Sequence, residues 1–395
     1  MTEIARMLRE TVQQEGVIPF VQFMELALYC PEIGYYERDR ETIGRAGDFF
    51  TSASVGPLFG QLLAFQFAQW LDQLPGRPLQ LVEGGAHQGQ LAGDILQWLG
   101  QKRPDLLETL QYWIIEPSAR RQSRQRERLK SLALPMRQGA GVGSQESGGS
   151  IHWIADLAQL PGQSVNGVIF SNELFDAFPV HRLGWDRTAG HWFEWGVALH
   201  AKQFVWKKLP SRPPSSASKI QNLKSKISHL AREVTAAGLD LPSELLAVLP
   251  EGFVIEVSPA ARHWWREAAT SLRHGKLLTL DYGFDAEQFF LPERAQGTLR
   301  AYSRHRVGDD VLAEPGEKDL TAHVNFTQLQ RAGESAGLQT TPLLNQAQFL
   351  TAIARQTWEK PDAFDKWTPL MFREFQTLTH PEHLGRPFRV LIQAR

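Results

Sequence analysis

The sequence predicts an α/β domain with a doubly wound, mostly parallel sheet, a helical N-terminal cap and an inserted β/α subdomain. From residue 78, short apolar runs alternate with helical patterns, as they do where helices join parallel strands. After residue 179, three runs alternate apolar and polar positions, which is typical of antiparallel strands. The chain has 395 residues, which is more than one ordinary domain needs and leaves room for both additions.

Composition limits the partners to be expected. The 42 basic and 43 acidic residues nearly balance, so no overall field attracts nucleic acid, and no nucleic-acid partner is expected. The single cysteine, Cys30, excludes an internal disulfide framework and a cysteine-clustered zinc site, and no metal is expected. The N-terminal residues contain no continuous apolar segment, so we expect a cytoplasmic protein without membrane insertion.

The N-terminal cap is predicted over residues 1–77. Apolar residues at helical spacing predict two helices within residues 2–30, interrupted near residues 16–19. A loop rich in Gly, Asp, Thr and Ser follows over residues 31–56, and a strongly apolar helix follows over 57–74. Loops of this length in compact domains are usually lids or binding segments, so the loop is expected to contribute to a site.

Residues 78–179 are predicted to form the first part of the α/β domain. Its strands and helices alternate in the order "LQLVEG", "QLAGDILQWLGQ", "LQYWIIEP", "ARRQSRQRERLKSL", "IHWIADL" and "VNGVIFSNELF". The second of these helices carries six basic residues between Arg120 and Lys130. Because no aromatic residues are interleaved with them, we interpret this run as a solvated face and not as an RNA-binding surface.

The predicted insertion covers residues 180–250. Three antiparallel strands are followed by a Pro- and Ser-rich linker and a helix from about 217 to 236. Residues 251–395 are predicted to complete the α/β domain, because the alternation of strand and helix resumes at "FVIEV". The last run, "RPFRVLIQAR", is predicted to close the sheet as an edge strand.

A glycine turn in "LVEGGAHQGQL", residues 81–91, is the first candidate site. Glu83 ends an apolar run, and Gly85 and Gly89 lead into a helix, so backbone N–H groups and a positive helix end are expected at the sheet edge. His87 stands where a Gly-x-Gly turn would have its second glycine. A purely structural tight turn is an equally open interpretation of this loop alone.

Glu116, at the end of the next predicted strand, is the candidate acceptor of hydrogen bonds from ribose hydroxyls. Its distance along the chain from Gly89 exceeds the roughly 20 residues of the dinucleotide fingerprint, and the G-x-G-x-x-G pattern is missing. Both observations disfavour NAD. They favour a nucleoside ligand without pyrophosphate, such as S-adenosylmethionine.

Polar residues follow the predicted strand "GVIFSN" abruptly. Asn172, Glu173 and Asp176 stand at the strand end where a ligand should lie, and Phe and Pro residues bracket them. An ordinary helix N-cap would explain one of these residues but not all three. His323 is a further candidate base, although a single His beside apolar residues more often has a structural role.

Many separate motifs together resemble one family, the MidA-like S-adenosylmethionine-dependent methyltransferases, which are related to the mitochondrial complex I assembly arginine methyltransferase. The resemblance covers nearly the whole chain. It rests on "PEIGYY", "GRAGDFFTSASVGPLFGQLL", the loop with "EGG", "IIEPS", "SNELFDAFPVHRL", "LLTLDYG", "GTLRAY", "DLTAHVNF" and "NQAQFL".

The resemblance implies a class I methyltransferase fold, which is Rossmann-like, and methyl transfer from S-adenosylmethionine to an arginine of a protein substrate. It implies a role in reaction for Asn172, Glu173 and Asp176. For the cofactor it implies the glycine loop with Glu83, Gly85 and Gly89, then Glu116, Asp156 near the adenine, and the cap residues Gly47, Asp48, Thr51 and Ser52. A respiratory-complex subunit as substrate and a homodimer are left open.

The sequence departs from the family pattern at several positions. In the family loop, Gly84 corresponds to leucine and His87 to the central glycine, and family glutamates fall at Ser54 and Gln61. Imidazole beside the cofactor takes up room and can require a left-handed backbone conformation. These departures leave open an alternative function, a methyltransferase-like binding or assembly factor with impaired catalysis.

Overall fold

The glycine turn follows the strand Leu79–Gly84 of the larger sheet. At this strand the order in which successive strands are added changes from one side of the sheet to the other. The computed structural model describes residues 2–38, 51–139, 149–209, 243–303, 306–308 and 310–395. Among these residues, the neighbouring strands of the larger sheet are, in spatial order, Gln339–Thr340, Phe388–Ala394, Leu272–Phe284, Val165–Asn172, Leu79–Gly84, Leu110–Ile115, Ser150–Ile154 and Met136–Gln138.

This central sheet is mostly parallel, as predicted. The strands from Leu272–Phe284 to Met136–Gln138 pair in parallel, whereas Phe388–Ala394 pairs antiparallel with Leu272–Phe284 and with its two short partners, Gln339–Thr340 and Leu344–Asn345. The chain builds outward from Leu79–Gly84 in one direction and then returns to add Val165–Asn172 on its other side. In open α/β sheets, ligands bind outside the carboxyl ends of strands at such a switch point.

The helices follow the predicted alternation, and the two C-terminal ones were not predicted from the sequence. Trp265, fully buried, donates its indole N–H to Gln393 Oε1 at 2.8 Å and so ties one helix to the last strand. The described α-helices are Glu3–Glu15, Phe20–Tyr29, Ser52–Val55, Leu58–Asp72, Gln90–Lys102, Pro104–Leu107, Ala119–Leu129, Ser243–Val248, Pro259–Ser271, Ala286–Phe289, Phe326–Ser335, Gln346–Glu359 and Pro369–Thr379. The predicted helix at 217–236 lies outside the described residues.

A second, antiparallel sheet contains the inserted hairpins. Its strands are Ile18–Pro19, His181–Asp186, His191–His200, Gln203–Lys208 and Val254–Val257. The prediction that the parallel sheet resumes at the strand "FVIEV" is wrong, because Val254–Val257 pairs antiparallel with His181–Asp186. All four of its residues are buried, so its apolar run contains no signal that distinguishes the two sheets.

The chain forms two compact units. One unit contains Met1–Arg40, Ala177–Arg262 and Phe284–Asn325, and the other contains Glu41–Asp176, His263–Gly283 and Phe326–Arg395. The first includes the second sheet and a small sheet of Arg300–Ser303, Arg306–Gly308 and Asp319–Thr321. The first unit combines the N-terminal helices with the insertion, which is a division of a different kind from the predicted one. The predicted domain boundaries, at 77, 179 and 250, stay a prediction.

Candidate functional site

Three strand ends meet at one edge of the central sheet. Gly84 is in register with Ser171 on one side and with Ile115 on the other. The residues that follow these positions, Gly85, Asn172 and Glu116, therefore start from the same edge. The sequence predicted this grouping, and it lies at the switch point of the sheet.

The glycine loop, residues 84–89, turns through left-handed backbone conformations. Gly85 has φ 74° and Gly89 has φ 80°, and Gly89 directly precedes the helix Gln90–Lys102. The left-handed φ favours glycine at position 85, and a Cβ there would also lie 2.8 Å from Leu174 Cδ1 and displace the end of that side chain. His87 has φ 46°, a conformation that is uncommon for a residue with a side chain and stores strain.

The His87 ring is uncharged at neutral pH. Burial lowers its pKa to about 4, and the nearby guanidinium groups of Arg121, Arg124 and Arg128 add to this effect. The positive charges beside the loop therefore belong to the helix Ala119–Leu129 and not to His87.

Trp264 fills the space beside Gly84. A Cβ at position 84 would lie 2.6 Å from Trp264 Cζ2, so the indole occupies the room that a larger side chain would take. The Phe175 ring packs edge-on against the Trp264 ring, with centroids 5.3 Å apart. Phe175 is one of the Phe residues that bracket the predicted polar strand end, and sequence reasoning had not placed a tryptophan beside it.

Glu83 is buried directly before the loop. Its Oε2 accepts a hydrogen bond from the Tyr112 hydroxyl at 2.7 Å. Burial raises the pKa of Glu83 to about 7, and the bond from Tyr112 opposes this shift. A cation placed beside Glu83 would favour its ionised form.

Glu116 is also buried, and several donors hold its carboxylate. Its Oε1 accepts the Ser118 N–H at 2.9 Å and the Arg121 Nε–H at 2.8 Å, and its Oε2 accepts Gln125 Nε2–H at 3.1 Å. Burial raises the pKa of Glu116, and Arg121 opposes the shift. The interpretation of the basic run as a solvated face is wrong at Arg121, whose side chain is only 12% exposed. The role of Glu116 toward a ribose stays a prediction.

Asn172 and Glu173 are in contact at the end of the central strand. Glu173 Oε1 accepts hydrogen bonds from Asn172 Nδ2 and from the Ser52 backbone N–H, both at 2.9 Å. Glu173 has φ 53°, a second strained position at this edge. Asn172 Oδ1 is buried and has no hydrogen-bond partner among the described residues. A buried acceptor without a partner is costly unless a ligand supplies the donor.

Asp281 holds the turn that carries the predicted catalytic residues, and sequence reasoning missed it. Its Oδ2 accepts the backbone N–H groups of Leu174 at 3.1 Å and Phe175 at 2.8 Å, and its Oδ1 accepts that of Tyr282 at 2.8 Å. Burial raises its pKa. The available signal was an acid near the end of the predicted strand "LLTLDYG". Asp176 is buried on the turn that Asp281 fixes.

The other predicted site residues have different surroundings. Thr51 caps the short helix Ser52–Val55, and the Ser54 hydroxyl completes a capping box with it. Ser52, fully buried, donates its hydroxyl to Gln346 Oε1 at 3.0 Å. Gly47 and Asp48 lie outside the described residues.

Asp156 and His323 are the two remaining candidates. Asp156 is exposed after the strand Ser150–Ile154, and its role toward adenine stays a prediction. His323 stacks on Phe284 with ring centroids 4.7 Å apart, and burial lowers its pKa to about 4, which favours the structural interpretation.

Among the described residues, no group of three or more His, Cys, Asp or Glu side chains could hold a metal ion. None of the described helices combines the length and the apolar character that crossing a bilayer requires.

The arrangement fits an adenosyl cofactor. Two glycines of the loop have left-handed backbone conformations, a buried acid lies at the end of each of two adjacent strands, and Asn172 Oδ1 has no hydrogen-bond partner among the described residues. Residues 62–343 match the model of the family described as "Putative S-adenosyl-L-methionine-dependent methyltransferase". The chain belongs to this family.

Solved and curated relatives agree with this assignment. A crystal structure from Burkholderia thailandensis, of a "likely methyl transferase" bound to S-adenosyl-homocysteine, has TM-score 0.75 and 31% identity and covers 99% of this chain and 92% of that chain. "Protein arginine methyltransferase NDUFAF7 homolog, mitochondrial" of Drosophila melanogaster is 27% identical over 98% of this chain and 84% of its own length. The Homo sapiens "Protein arginine methyltransferase NDUFAF7, mitochondrial" is 29% identical over 87% and 71%.

The fold and the family show that this protein is an S-adenosylmethionine-dependent methyltransferase. The predicted class I fold and the predicted cofactor are confirmed. The alternative, a binding or assembly factor with impaired catalysis, is not favoured by these comparisons.

Proposed function

We propose that this methyltransferase transfers a methyl group to an arginine side chain of a protein substrate. The observation that carries the proposal is the pair Asn172 and Glu173, which places a fixed carboxylate and a partnerless carbonyl acceptor at the switch point of the sheet. A guanidinium group has five N–H donors and no acceptor, so acceptor-only groups match it. Relatives named as protein arginine methyltransferases support the same acceptor.

The cofactor site is assigned to the glycine loop with Glu83, Gly85 and Gly89, and to Glu116. S-adenosylmethionine, when bound, supplies the methyl group as an electrophilic carbon on a sulfonium. Glu83, of raised pKa, is available to become ionised beside a cationic group of the cofactor. Glu116, already oriented by Arg121, keeps one lone pair, on Oε2, for a ribose hydroxyl.

Glu173 and Asn172 are assigned to the acceptor. The Ser52 and Asn172 hydrogen bonds fix the orientation of the Glu173 carboxylate before a substrate arrives, which reduces the ordering that binding must impose. Because an arginine is protonated and a poor nucleophile, its guanidinium must lose a proton as the methyl group arrives. Glu173 holds the guanidinium and receives this proton, and Asp176 supports the same step from the following turn.

The test compares wild type with Glu173→Gln. Glutamine keeps an oxygen that can accept the Ser52 N–H, so the local fold should persist, while the charge and the proton acceptor are lost. Binding of S-adenosylhomocysteine, measured by calorimetry, should change less than threefold. Transfer of isotopically labelled methyl groups to arginine-containing peptides should fall by about 100-fold or more.

A matched peptide with lysine in place of arginine is the control for the acceptor. Methylarginine in the product of wild type, identified by mass spectrometry after hydrolysis, supports the proposal. Label in the lysine peptide but not in the arginine peptide would refute the choice of arginine. Equal loss of binding and transfer in Glu173→Gln would refute the role of Glu173.

The remaining parts of the proposal concern where and with what the enzyme acts. The cytoplasmic location and the MidA-like subgroup are carried over from sequence features, whereas the curated relatives above are named as mitochondrial. A respiratory-complex subunit as substrate and a homodimer are further parts of it. Cell fractionation tests the location, and sedimentation equilibrium tests the dimer.

A further inference from the structure

Gln125 forms hydrogen bonds with two parts of the candidate cofactor site, the glycine loop and Glu116. The residue lies on the helix Ala119–Leu129, which is rich in charge, yet Gln125 is 0% exposed. Its Nε2 donates to the His87 carbonyl oxygen at 2.9 Å and to Glu116 Oε2 at 3.1 Å. One amide group therefore joins the glycine loop to the buried acid of the next strand.

The orientation of this amide is determined by a third hydrogen bond. Trp153 Nε1 donates to Gln125 Oε1 at 2.9 Å. An indole N–H can only donate, so the amide oxygen must face Trp153 and the NH₂ group must face His87 and Glu116. Both hydrogens of the NH₂ group then have acceptors, and each acceptor belongs to a different segment of the site.

The contact to His87 matters because the loop contains a histidine where a glycine would adopt the same conformation without strain. His87 has φ 46°, which stores strain that the surroundings must offset. The hydrogen bond from Gln125 fixes the His87 carbonyl, and the Gly89 backbone packs beside the same side chain, since a Cβ at 89 would lie 3.6 Å from it.

We propose that Gln125 is a positioning residue for the binding of S-adenosylmethionine. Its amide holds the strained glycine loop and the Glu116 carboxylate at a fixed separation without touching the cofactor. The proposal rests on the cofactor site assigned above. It adds that the histidine in the loop is tolerated because Gln125 supports it, and that cofactor affinity depends on this one amide.

The principal variant is Gln125→Met, which keeps the size of the side chain and removes both donors. The matched control is Gln122→Met on the same helix. Gln122 is also buried, but its Nε2 donates only to the backbone carbonyl of Glu116, at 2.7 Å, among the described residues. Both variants lose one buried amide, so a general loss of helix packing should affect them alike.

The measurement is the dissociation constant of S-adenosylhomocysteine on the full chain, by titration calorimetry. Gln125→Met should weaken binding by about tenfold or more, and Gln122→Met by less than threefold. In a His87→Gly background the effect of Gln125→Met should become smaller, because glycine needs no support; the residual effect comes from Glu116. A general structural role would leave the effect the same in both backgrounds.

A second variant, and thermal unfolding measured for every variant, separate loss of binding from loss of the fold. Gln125→Glu keeps an acceptor for Trp153 but places a second carboxylate beside Glu116, so it should weaken binding at least as much as Gln125→Met. Wild-type affinity in either folded Gln125 variant, or equal losses in the Gln125 and Gln122 variants, overturns the proposal. Failure of the wild type to bind S-adenosylhomocysteine overturns the cofactor site itself and this proposal with it, independently of which residue accepts the methyl group.

Discussion

Replacement of Glu83 by glutamine should make the protein more stable at high pH. Glu83 is buried, its partner in the structure is the Tyr112 hydroxyl, and burial raises its pKa from 4.5 to about 7. Between these two pH values the folded protein keeps a proton that the unfolded chain has lost. The free energy of unfolding therefore falls as the pH rises from about 4.5 to about 7, and the loss is complete above that range.

The size of the effect follows from the shift in pKa. Each pKa unit corresponds to about 1.4 kcal/mol, so the shift of Glu83 costs roughly 3 kcal/mol of stability once its carboxylate is ionised. Glutamine has no charge to bury, and its carbonyl can still accept the Tyr112 O–H. We expect Glu83→Gln to exceed wild type by up to about 3 kcal/mol at pH 8 and to differ by less than about 1 kcal/mol near pH 4.5.

Urea unfolding at several pH values between 4.5 and 8 measures this difference. Other buried acids, including Glu116 and Asp281, also have raised pKa values, so wild type alone would not isolate Glu83. The difference between wild type and Glu83→Gln at each pH removes their contribution. Parallel stability curves for the two proteins across this range would refute the assignment of a buried, partly protonated Glu83.

Three further predictions concern the same sheet edge. His87→Gly should bind S-adenosylhomocysteine more tightly, with a stability change below about 1 kcal/mol because relieved strain offsets added chain entropy; an unchanged dissociation constant in calorimetry would contradict this. Gly84→Leu should lower the free energy of unfolding by about 1–3 kcal/mol, since its Cβ would lie 2.6 Å from Trp264. Adding Trp264→Ala should recover part of this loss. Additive losses of the two changes in urea unfolding would show that the two sites do not interact. Asp281→Ala should cost about 3 kcal/mol or more, because three backbone N–H groups lose their acceptor, whereas Asp281→Asn should cost less; equal thermal unfolding of both variants would count against the anchoring role.

Local sequence patterns predicted most of the central sheet. Apolar runs of strand length between helical patterns determine where strands begin and end, and polar residues directly after them mark the carboxyl edge of a parallel sheet. For this reason the sequence alone suffices to group Gly85, Glu116 and Asn172. The positive φ of His87 could be anticipated in the same way, because the turn itself demands it.

Contacts between distant segments could not be predicted in this way. The residues of the strand Val254–Val257 would suit either sheet. Only the strand that it pairs with, His181–Asp186, assigns it to the second sheet. Arg121 looked like one of six solvated charges, but a buried acid five positions earlier in the chain binds it.

The sequence by itself determined the strand and helix alternation, the glycine turn and the polar residues at the strand ends, because each depends on neighbours along the chain. Only the tertiary structure decided that Trp264 fills the space beside Gly84, that Asp281 holds the turn at Leu174, and that Gln125 joins the loop to Glu116. The physical reason is that packing and buried hydrogen bonds pair groups by their position in space, and sequence spacing contains no record of those pairs.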